Sequence, residues 1–203
     1  MPGVAAPPLA PACKQVARRA GHGGGVNENP QTSQPSATSW LPSWFTHPAH
    51  LELDSGFHLR PLRAVDVDLD LPAVLGSRLS LWARYGFAWG WPPADLDRDG
   101  DRRDLERQEQ EMSAGTSFSY GLFDEAEEAL GGCVYLDPPR GGPGGADVDV
   151  TWWTVDALVG SAVHAELPGA LRGWLARDWP FTRPRFVGFD LSWPEWALLP
   201  DPA

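Results

Sequence analysis

The stretch DVDVTWWTV at residues 147–155 decides the fold of this chain, together with the residues that follow it. It is rich in β-branched and aromatic residues and contains neither Pro nor Gly, which is typical of a buried strand. After a loop over residues 156–162, apolar residues recur at helical spacing from 163 to 175. A second strand is predicted over residues 185–190. This strand–helix–strand order predicts two parallel strands joined by a right-handed crossover.

The composition is that of one acidic domain with an appended tail. The 203 residues carry a net charge of −11. Residues 1–50 contain three basic residues and one acidic residue, so the remainder holds 13 basic and 26 acidic residues, a balance of 13 − 26 = −13. Phosphate binding requires a basic face, so this balance argues against nucleic acid as a partner. It favours a cationic amine instead.

The first 39 residues differ in composition from the rest. They are rich in Pro, Gly, Ala and Ser and lack apolar periodicity, which predicts a disordered low-complexity tail at 1–39 and a single domain at 40–203. No apolar run approaches the ~18 residues of a membrane span, and prolines interrupt any signal peptide. Cys13 and Cys133 form neither a disulfide framework nor a zinc-binding spacing. We therefore expect a cytoplasmic protein without a membrane segment and without a metal.

The residues before 147 predict the rest of a sheet and its helices. A hairpin is predicted over residues 50–62, and two antiparallel strands over residues 116–123 and 130–136. A helix from Asp70 to Tyr85 and a polar helix from Asp101 to Met112 separate them. The inward stripe predicted for the first helix is Leu71, Leu75, Leu79 and Trp82. The predicted fold class is α+β, close to a three-layer α/β arrangement, with a mixed, mostly antiparallel sheet and helices on both faces.

The aromatic segment at residues 87–93 allows two interpretations. Its aromatic side chains would suit a substrate lid or a sugar-stacking platform. Alternatively, Trp89 and Trp91 fill the core beneath the helices.

This order of elements resembles the GNAT superfamily of N-acetyltransferases over residues 57–190. The segment Leu59-Arg60-Pro61-Leu62 followed by Asp66 looks like the first strand of that family leading into its first helix. Trp152-Trp153 is similar to the aromatic–Trp pair that many members carry in the fourth strand.

The loop after that strand is also similar to the family's cofactor loop, Gln/Arg-x-x-Gly-x-Gly/Ala. Gly160 and Ala162 match this motif, while Ala157 departs from the expected Gln or Arg. The family usually continues with a helix and two strands, and with a Tyr used as general acid, where this sequence has 13 residues after Asp190.

The resemblance implies a GNAT-like acyl-CoA acyltransferase fold with acetyl-CoA as cosubstrate. The pyrophosphate would lie on the loop and helix N-terminus that hold Gly160, Ser161, Ala162 and Val163. Small residues there let backbone N–H groups approach an anion closely. The pantetheine arm would pair with the backbone of Trp153, Thr154 and Val155.

Direct attack by an amine requires a group that removes the ammonium proton. Asp149, on the strand face opposite Val148 and Val150, is the first candidate for this role. Asp190, at the end of the next strand, is the second.

Three functions remain open at this level. The first is N-acetyl transfer to an unidentified small-molecule or peptide amine. The second is a catalytically degenerate CoA-binding or protein-interaction module, which the departure at Ala157 favours. The third is an interaction protein that uses its tryptophans as a partner surface, and an exposed sheet edge would also allow a homodimer.

Overall fold

The computed structural model describes residues 40–141 and 145–201. The tail predicted at residues 1–39 lies outside the described residues. The strands are β1 (Leu51–Glu52), β2 (Phe57–Pro61), β3 (Phe118–Asp124), β4 (Leu130–Asp137), β5 (Val148–Thr154) and β6 (Pro184–Phe186). The helices are α1 (Val67–Gly76), α2 (Arg78–Trp89), α3 (Arg98–Ser113), α4 (Ala162–Asp178) and α5 (Trp193–Ala197).

The six strands form one sheet in which spatial order follows chain order, from β1 to β6. Neighbours pair antiparallel from β1 to β5, and β5 pairs parallel with β6. The predicted mixed, mostly antiparallel sheet and its parallel crossover through α4 are therefore confirmed. The β1–β2 turn holds Gly56 at φ +79°, the left-handed conformation that its hairpin loop favours.

Alternation along β5 gives the sheet two buried faces. Val150 and Trp152 join one cluster with Leu167 and Trp174 of α4. Trp153 points the other way and joins the cluster that includes side chains of α1, α2 and α3. Helices cover both faces, as the sequence predicted, and both clusters are rich in aromatic rings.

The prediction of a single helix from Asp70 to Tyr85 is wrong, because the helix is interrupted at Ser77 and forms α1 and α2. The predicted inward stripe is also wrong. Its members Leu79 and Trp82 are 85% and 50% exposed. The buried side chains of the two helices are instead Val67, Asp70, Val74, Leu81 and Tyr85. Both the predicted set and the observed set have helical spacing. The break between the two helices is what turns the observed set, and not the predicted one, toward the core.

The aromatic segment after Tyr85 is divided between core and surface. Trp91 is buried against Tyr85 and Trp153, with ring centroids 5.8 and 6.1 Å away. Trp89 is half-buried and stacks on Tyr85 at 4.9 Å, whereas Phe87 is exposed. The core interpretation therefore holds for Trp91.

No helix within the described ranges is long and apolar enough to cross a membrane.

Candidate functional site

Strand β6 pairs with only the first half of β5. The last paired residues are Val150 and Phe186, and the Val187 amide then donates to the Val150 carbonyl at 3.0 Å. Beyond this point the chain turns, because the amides of Phe189 and Asp190 donate to the Phe186 carbonyl at 3.1 and 2.8 Å. This turn shortens the strand that the sequence predicted as far as residue 190. It leaves the second half of β5 open on its β6 side.

The pairing pattern identifies which backbone groups face this gap. The Val155 amide donates to the Gly131 carbonyl at 2.9 Å, so Val155 presents its backbone to β4. Hydrogen-bonding directions alternate along an antiparallel strand, so Trp153 also faces β4 while Trp152 and Thr154 face the gap. Of the three residues predicted to bind pantetheine, Thr154 is the one on the open side. The sequence did not indicate Trp152 for this role. The side to which its backbone groups point depends on the pairing register of β5, which the sequence does not show.

Helix α2 lies against this open edge through two side chains. The Trp152 carbonyl accepts from Arg84 Nη1 at 3.0 Å and from the Tyr85 hydroxyl at 2.9 Å. Burial raises the pKa of Tyr85, which keeps its hydroxyl a hydrogen-bond donor.

A cleft of about 360 Å³ opens where the two strands diverge. It is lined by residues from α2, β5, the turn after β6, and α5: Ser80, Ala83, Arg84, Trp152, Val187, Gly188, Phe189 and Trp193. One apolar wall is the Phe189 ring stacked on the Trp152 indole, with centroids 4.3 Å apart and planes 10° apart. An apolar cleft with a few polar groups is the usual composition of a small-molecule site.

A carboxylate that the sequence did not single out lies beside this cleft. The Ser80 hydroxyl, which lines the cleft, donates to Asp156 Oδ2 at 2.9 Å. The Asp156 amide donates to the Ser77 hydroxyl at 2.9 Å. These two bonds fix Asp156 between α2 and the end of β5, with its side chain accessible to solvent.

The predicted cofactor loop precedes α4 directly. A short 3₁₀ turn at Asp156–Leu158 leads to Gly160 at φ +82°, where a Cβ would meet open space. Ser161 caps the helix, since its hydroxyl accepts from the His164 amide at 3.4 Å and donates to the Leu158 carbonyl at 2.6 Å.

The backbone of this loop fits an anionic group. Within the described residues, the amides of Gly160, Ala162 and Val163 have no hydrogen-bond partner. Unpaired amides at a helix N-terminus bind phosphate groups readily. Ala157 is exposed at the same turn and offers no polar side chain to such a ligand.

The first turns of α4 also make polar contacts with two neighbouring segments. Thr154 Oγ1 lies 2.8 Å from His164 Nδ1, at the open end of β5. Glu166 accepts from the amides of Asp54 and Ser55 at 2.6 and 3.0 Å, which ties α4 to the β1–β2 turn.

Asp149 lies in the closed part of the sheet. It is 1% exposed and accepts from the Arg185 guanidinium at 2.6 and 2.8 Å. The Trp196 indole N–H donates to it at 2.7 Å and the Arg140 amide at 3.1 Å. It precedes Trp152 by three residues, which corresponds to about 10 Å along a strand. Its carboxylate is saturated with donors, an arrangement typical of a structural ion pair.

Asp190 occupies the turn after β6. It accepts from the Phe186 amide at 2.9 Å and from Arg172 of α4 at 3.0 Å, so it holds the turn that opens the gap. The structure does not bring Asp149 and Asp190 together. The carboxylate that it places beside the cleft is Asp156.

Comparisons with known proteins identify this fold. No protein-family model matches the sequence, and no curated protein matches it either. Among solved structures, the chain is similar to RimL, a ribosomal L7/L12 alpha-N-protein acetyltransferase, in its apo form. That match has a TM-score of 0.50 and 15% identity, and covers 64% of this chain and 67% of RimL.

Two further structures give the same result. RimL in complex with coenzyme A matches with a TM-score of 0.51 and 15% identity, over 63% of this chain and 68% of that chain. A protein described as a probable acetyltransferase matches with a TM-score of 0.53 and 13% identity, over 68% and 72% of the two chains. At these identities the comparisons establish the GNAT acyltransferase fold.

Proposed function

We propose, from the GNAT fold of this chain, that it is an N-acetyltransferase that uses acetyl-CoA as its cosubstrate. The observation that carries this proposal is that two features meet at one place. The open edge of β5 faces a cleft, and the loop that follows β5 presents unpaired amides at the start of α4.

The two features suit the two parts of an acyl-CoA. The amides of Gly160, Ala162 and Val163 would donate to its pyrophosphate. The Trp152 amide and the backbone of Thr154, which face the gap, would pair with the pantetheine arm, as an added strand does. The acyl group would then lie in the cleft, between α2 and the Phe189 turn.

Acetyl transfer also requires a neutral amine. The amine nitrogen attacks the thioester carbonyl carbon, the C–N bond forms and the C–S bond breaks. The attacking nitrogen loses a proton, and the CoA sulfur leaves as a thiolate that takes up a proton. Asp156 is suited to accept the amine proton, either through the Ser80 hydroxyl or through water.

Acetyl-CoA binding is the first test. We expect calorimetry to detect binding to the unmodified chain and not to Gly160→Glu, whose carboxylate would stand among the three amides. A ligand at 100 times its Kd should also stabilise the protein by about 2.7 kcal/mol.

Two control variants separate charge from backbone strain. Gly160→Ala carries the strain of a side chain at φ +82° without the charge, and should retain binding. Gly169→Glu places the same charge at an exposed position further along α4, and should also retain binding. If Gly160→Glu bound acetyl-CoA as tightly as the unmodified chain does, the loop would not be part of the cosubstrate site.

The proton acceptor is tested by two isosteric substitutions. We expect Asp156→Asn to lower kcat/KM by about 10²- to 10⁴-fold, the usual contribution of a general base. Asp149→Asn should lower the stability to urea, because it leaves the half-buried Arg185 without its counter-charge. The opposite result would be an Asp149→Asn variant with normal stability and lost turnover, and an Asp156→Asn variant with full turnover. It would assign the role of proton acceptor to Asp149, as the sequence suggested.

A binding module without catalysis is the second candidate. It is favoured by the Trp152 carbonyl, which already accepts from Arg84 and Tyr85, and by the Phe189 ring that covers the Trp152 indole. This candidate predicts that acetyl-CoA binds and that no amine is acetylated.

A further inference from the structure

The cleft between β5 and β6 contains one cationic side chain, that of Arg84. Its Nη1 atom donates to the Trp152 carbonyl, and its Cζ atom lies 5.9 Å from the centre of the Tyr85 ring. The guanidinium is thereby held in place at the cleft. A guanidinium carries five N–H donors, so a bond to one carbonyl leaves a capacity for further acceptors.

Among the residues that the structure describes, Arg84 differs from most arginines in having no carboxylate partner. Eight others form ion pairs within the described residues: Arg60, Arg98, Arg102, Arg107, Arg140, Arg172, Arg177 and Arg185. In the described part of the chain, no carboxylate forms an ion pair with the Arg84 guanidinium. Acidic residues outnumber basic ones in this chain, 27 to 16. An arginine that lines a cleft and has no carboxylate partner in such a chain is suited to bind a carboxylate of a ligand.

The remaining walls of the cleft are suited to an apolar group. Phe189 is stacked on Trp152 yet 60% exposed, so its ring presents a face to solvent. The half-buried Trp193 and the small Ala83 complete this side. An apolar body next to a carboxylate would therefore meet complementary surfaces.

The polar end of the cleft is arranged on one turn of α2. Ser80 and Arg84 are four residues apart on the helix, so their Cβ atoms are about 5–6 Å apart and their side chains are neighbours. Ser80 in turn contacts the Asp156 carboxylate at 2.9 Å. A carboxylate-binding group and a group that can receive a proton from an amine thus lie side by side.

We propose that the acceptor is an α-amino acid with a large apolar side chain. Arg84 binds its carboxylate, the side chain lies against Phe189 and Trp193, and the amine faces Ser80 and Asp156. This inference rests on the proposed acetyl transfer, and it specifies the substrate class of that reaction. The net charge alone suggested a cationic amine as substrate, and the inference adds a carboxylate to that substrate. The acidic surface favours its ammonium group, while Arg84 selects for its carboxylate.

Three acceptors that share one side chain test the proposal. They are L-phenylalanine, L-phenylalaninamide, which has no carboxylate, and 2-phenylethylamine, which has no carboxyl carbon. We expect kcat/KM to be about 10- to 100-fold higher for phenylalanine than for the other two, the value of a charge-assisted hydrogen-bonded pair.

Substitutions at α2 assign that preference to Arg84. Arg84→Met should lower kcat/KM for phenylalanine much more than kcat/KM for 2-phenylethylamine, and so abolish the preference, while Tyr85 still donates to the Trp152 carbonyl. Arg84→Lys, which keeps the charge without the forked geometry, should retain part of the preference. Arg78→Met is the matched control, because Arg78 lies on the same helix outside the cleft lining. If Arg84→Met does not fold, Arg84→Lys decides between the outcomes.

Each result has one meaning when acetyl-CoA binding is measured first. No binding of acetyl-CoA would overturn the proposed function itself. Binding with equal rates on phenylalanine and 2-phenylethylamine would overturn the amino-acid acceptor alone. Binding with no rate on any of the three would also overturn it, and would favour the binding module over acetyl transfer. A preference for succinyl-CoA over acetyl-CoA that Arg84→Met removes would place the carboxylate on the acyl donor, which also overturns the acceptor assignment.

Discussion

Asp70 and Asp101 place two carboxyl groups in one buried site between α1 and α3. Both are almost fully buried, and the Cys133 thiol lies 3.7 Å from Asp70. Burial raises the pKa of Asp101 to about 6, and burial together with the facing Asp101 raises the pKa of Asp70 further above its usual value. One proton shared between the two carboxyl groups therefore stabilises the fold.

Replacing Asp70 by Asn should stabilise the protein at neutral and alkaline pH. Both folded-state pKa values are raised, so the native state of the unmodified chain loses stability as pH rises above about 4 toward those values. The amide introduced by Asp70→Asn does not titrate, and it can donate a hydrogen bond to Asp101. We expect a gain of about 1–3 kcal/mol at pH 8 that disappears near pH 4, since one pKa unit corresponds to about 1.4 kcal/mol.

Urea unfolding of both chains between pH 4 and 8 measures this difference. Asp101 also faces Asp104, and Arg107 and Tyr135 line the same small cavity; these groups are common to both chains. A gain that is equal at pH 4 and pH 8 would show that the carboxyl pair does not titrate in this range. The sequence did not indicate this pair, because helical spacing alone cannot show that a charged residue is buried.

At the scale of elements, α2 shows where periodicity misleads. Its sequence has two apolar faces, and the stripe with Leu79 and Trp82 has the better helical spacing with Leu71 and Leu75. The structure buries the other face, because Ser77 interrupts the helix and bonds to the Asp156 amide. That contact joins residues 79 positions apart, so no local pattern contains it.

Two substitutions on α2 test this assignment. Leu81 is buried, so Leu81→Ala should lower the free energy of unfolding by about 2–5 kcal/mol. Leu79 is exposed, so Leu79→Ala, the same chemical change two positions earlier, should alter it by no more than about 0.5 kcal/mol. Thermal and urea unfolding report both values. Similar large losses at the two positions would mean that the Leu79 face is covered in solution.

At the scale of the whole molecule, local pattern predicted the framework but did not indicate the cleft. The apolar and β-branched runs predicted β5, α4 and β6 in order, and nearest-neighbour pairing then produced the sheet. The cleft depends on the turn at Phe186–Asp190 and on the approach of Arg84 to Trp152 across 68 positions. Asp149 was placed on the correct strand face, but its partners Arg185 and Trp196 could not be inferred from spacing.

The net charge of the molecule predicts an unusual salt dependence for its cosubstrate. Residues 40–203 carry 13 basic and 26 acidic residues, a balance of −13, so the long-range field repels an anion such as acetyl-CoA. Raising the ionic strength from about 0.01 M to 0.15 M shortens the screening length from about 30 Å to about 8 Å. We expect the association rate constant of acetyl-CoA to rise with salt as this repulsion is screened, whereas the KM of a zwitterionic amino acid should change little.

Stopped-flow tryptophan fluorescence can follow this association, because Trp152 and Trp193 line the cleft. An association rate that falls with salt would contradict the prediction. It would show that the local field of Arg84 and the N-terminus of α4 outweighs that of the acidic surface, in which case Arg84→Met should reverse the sign of the salt dependence.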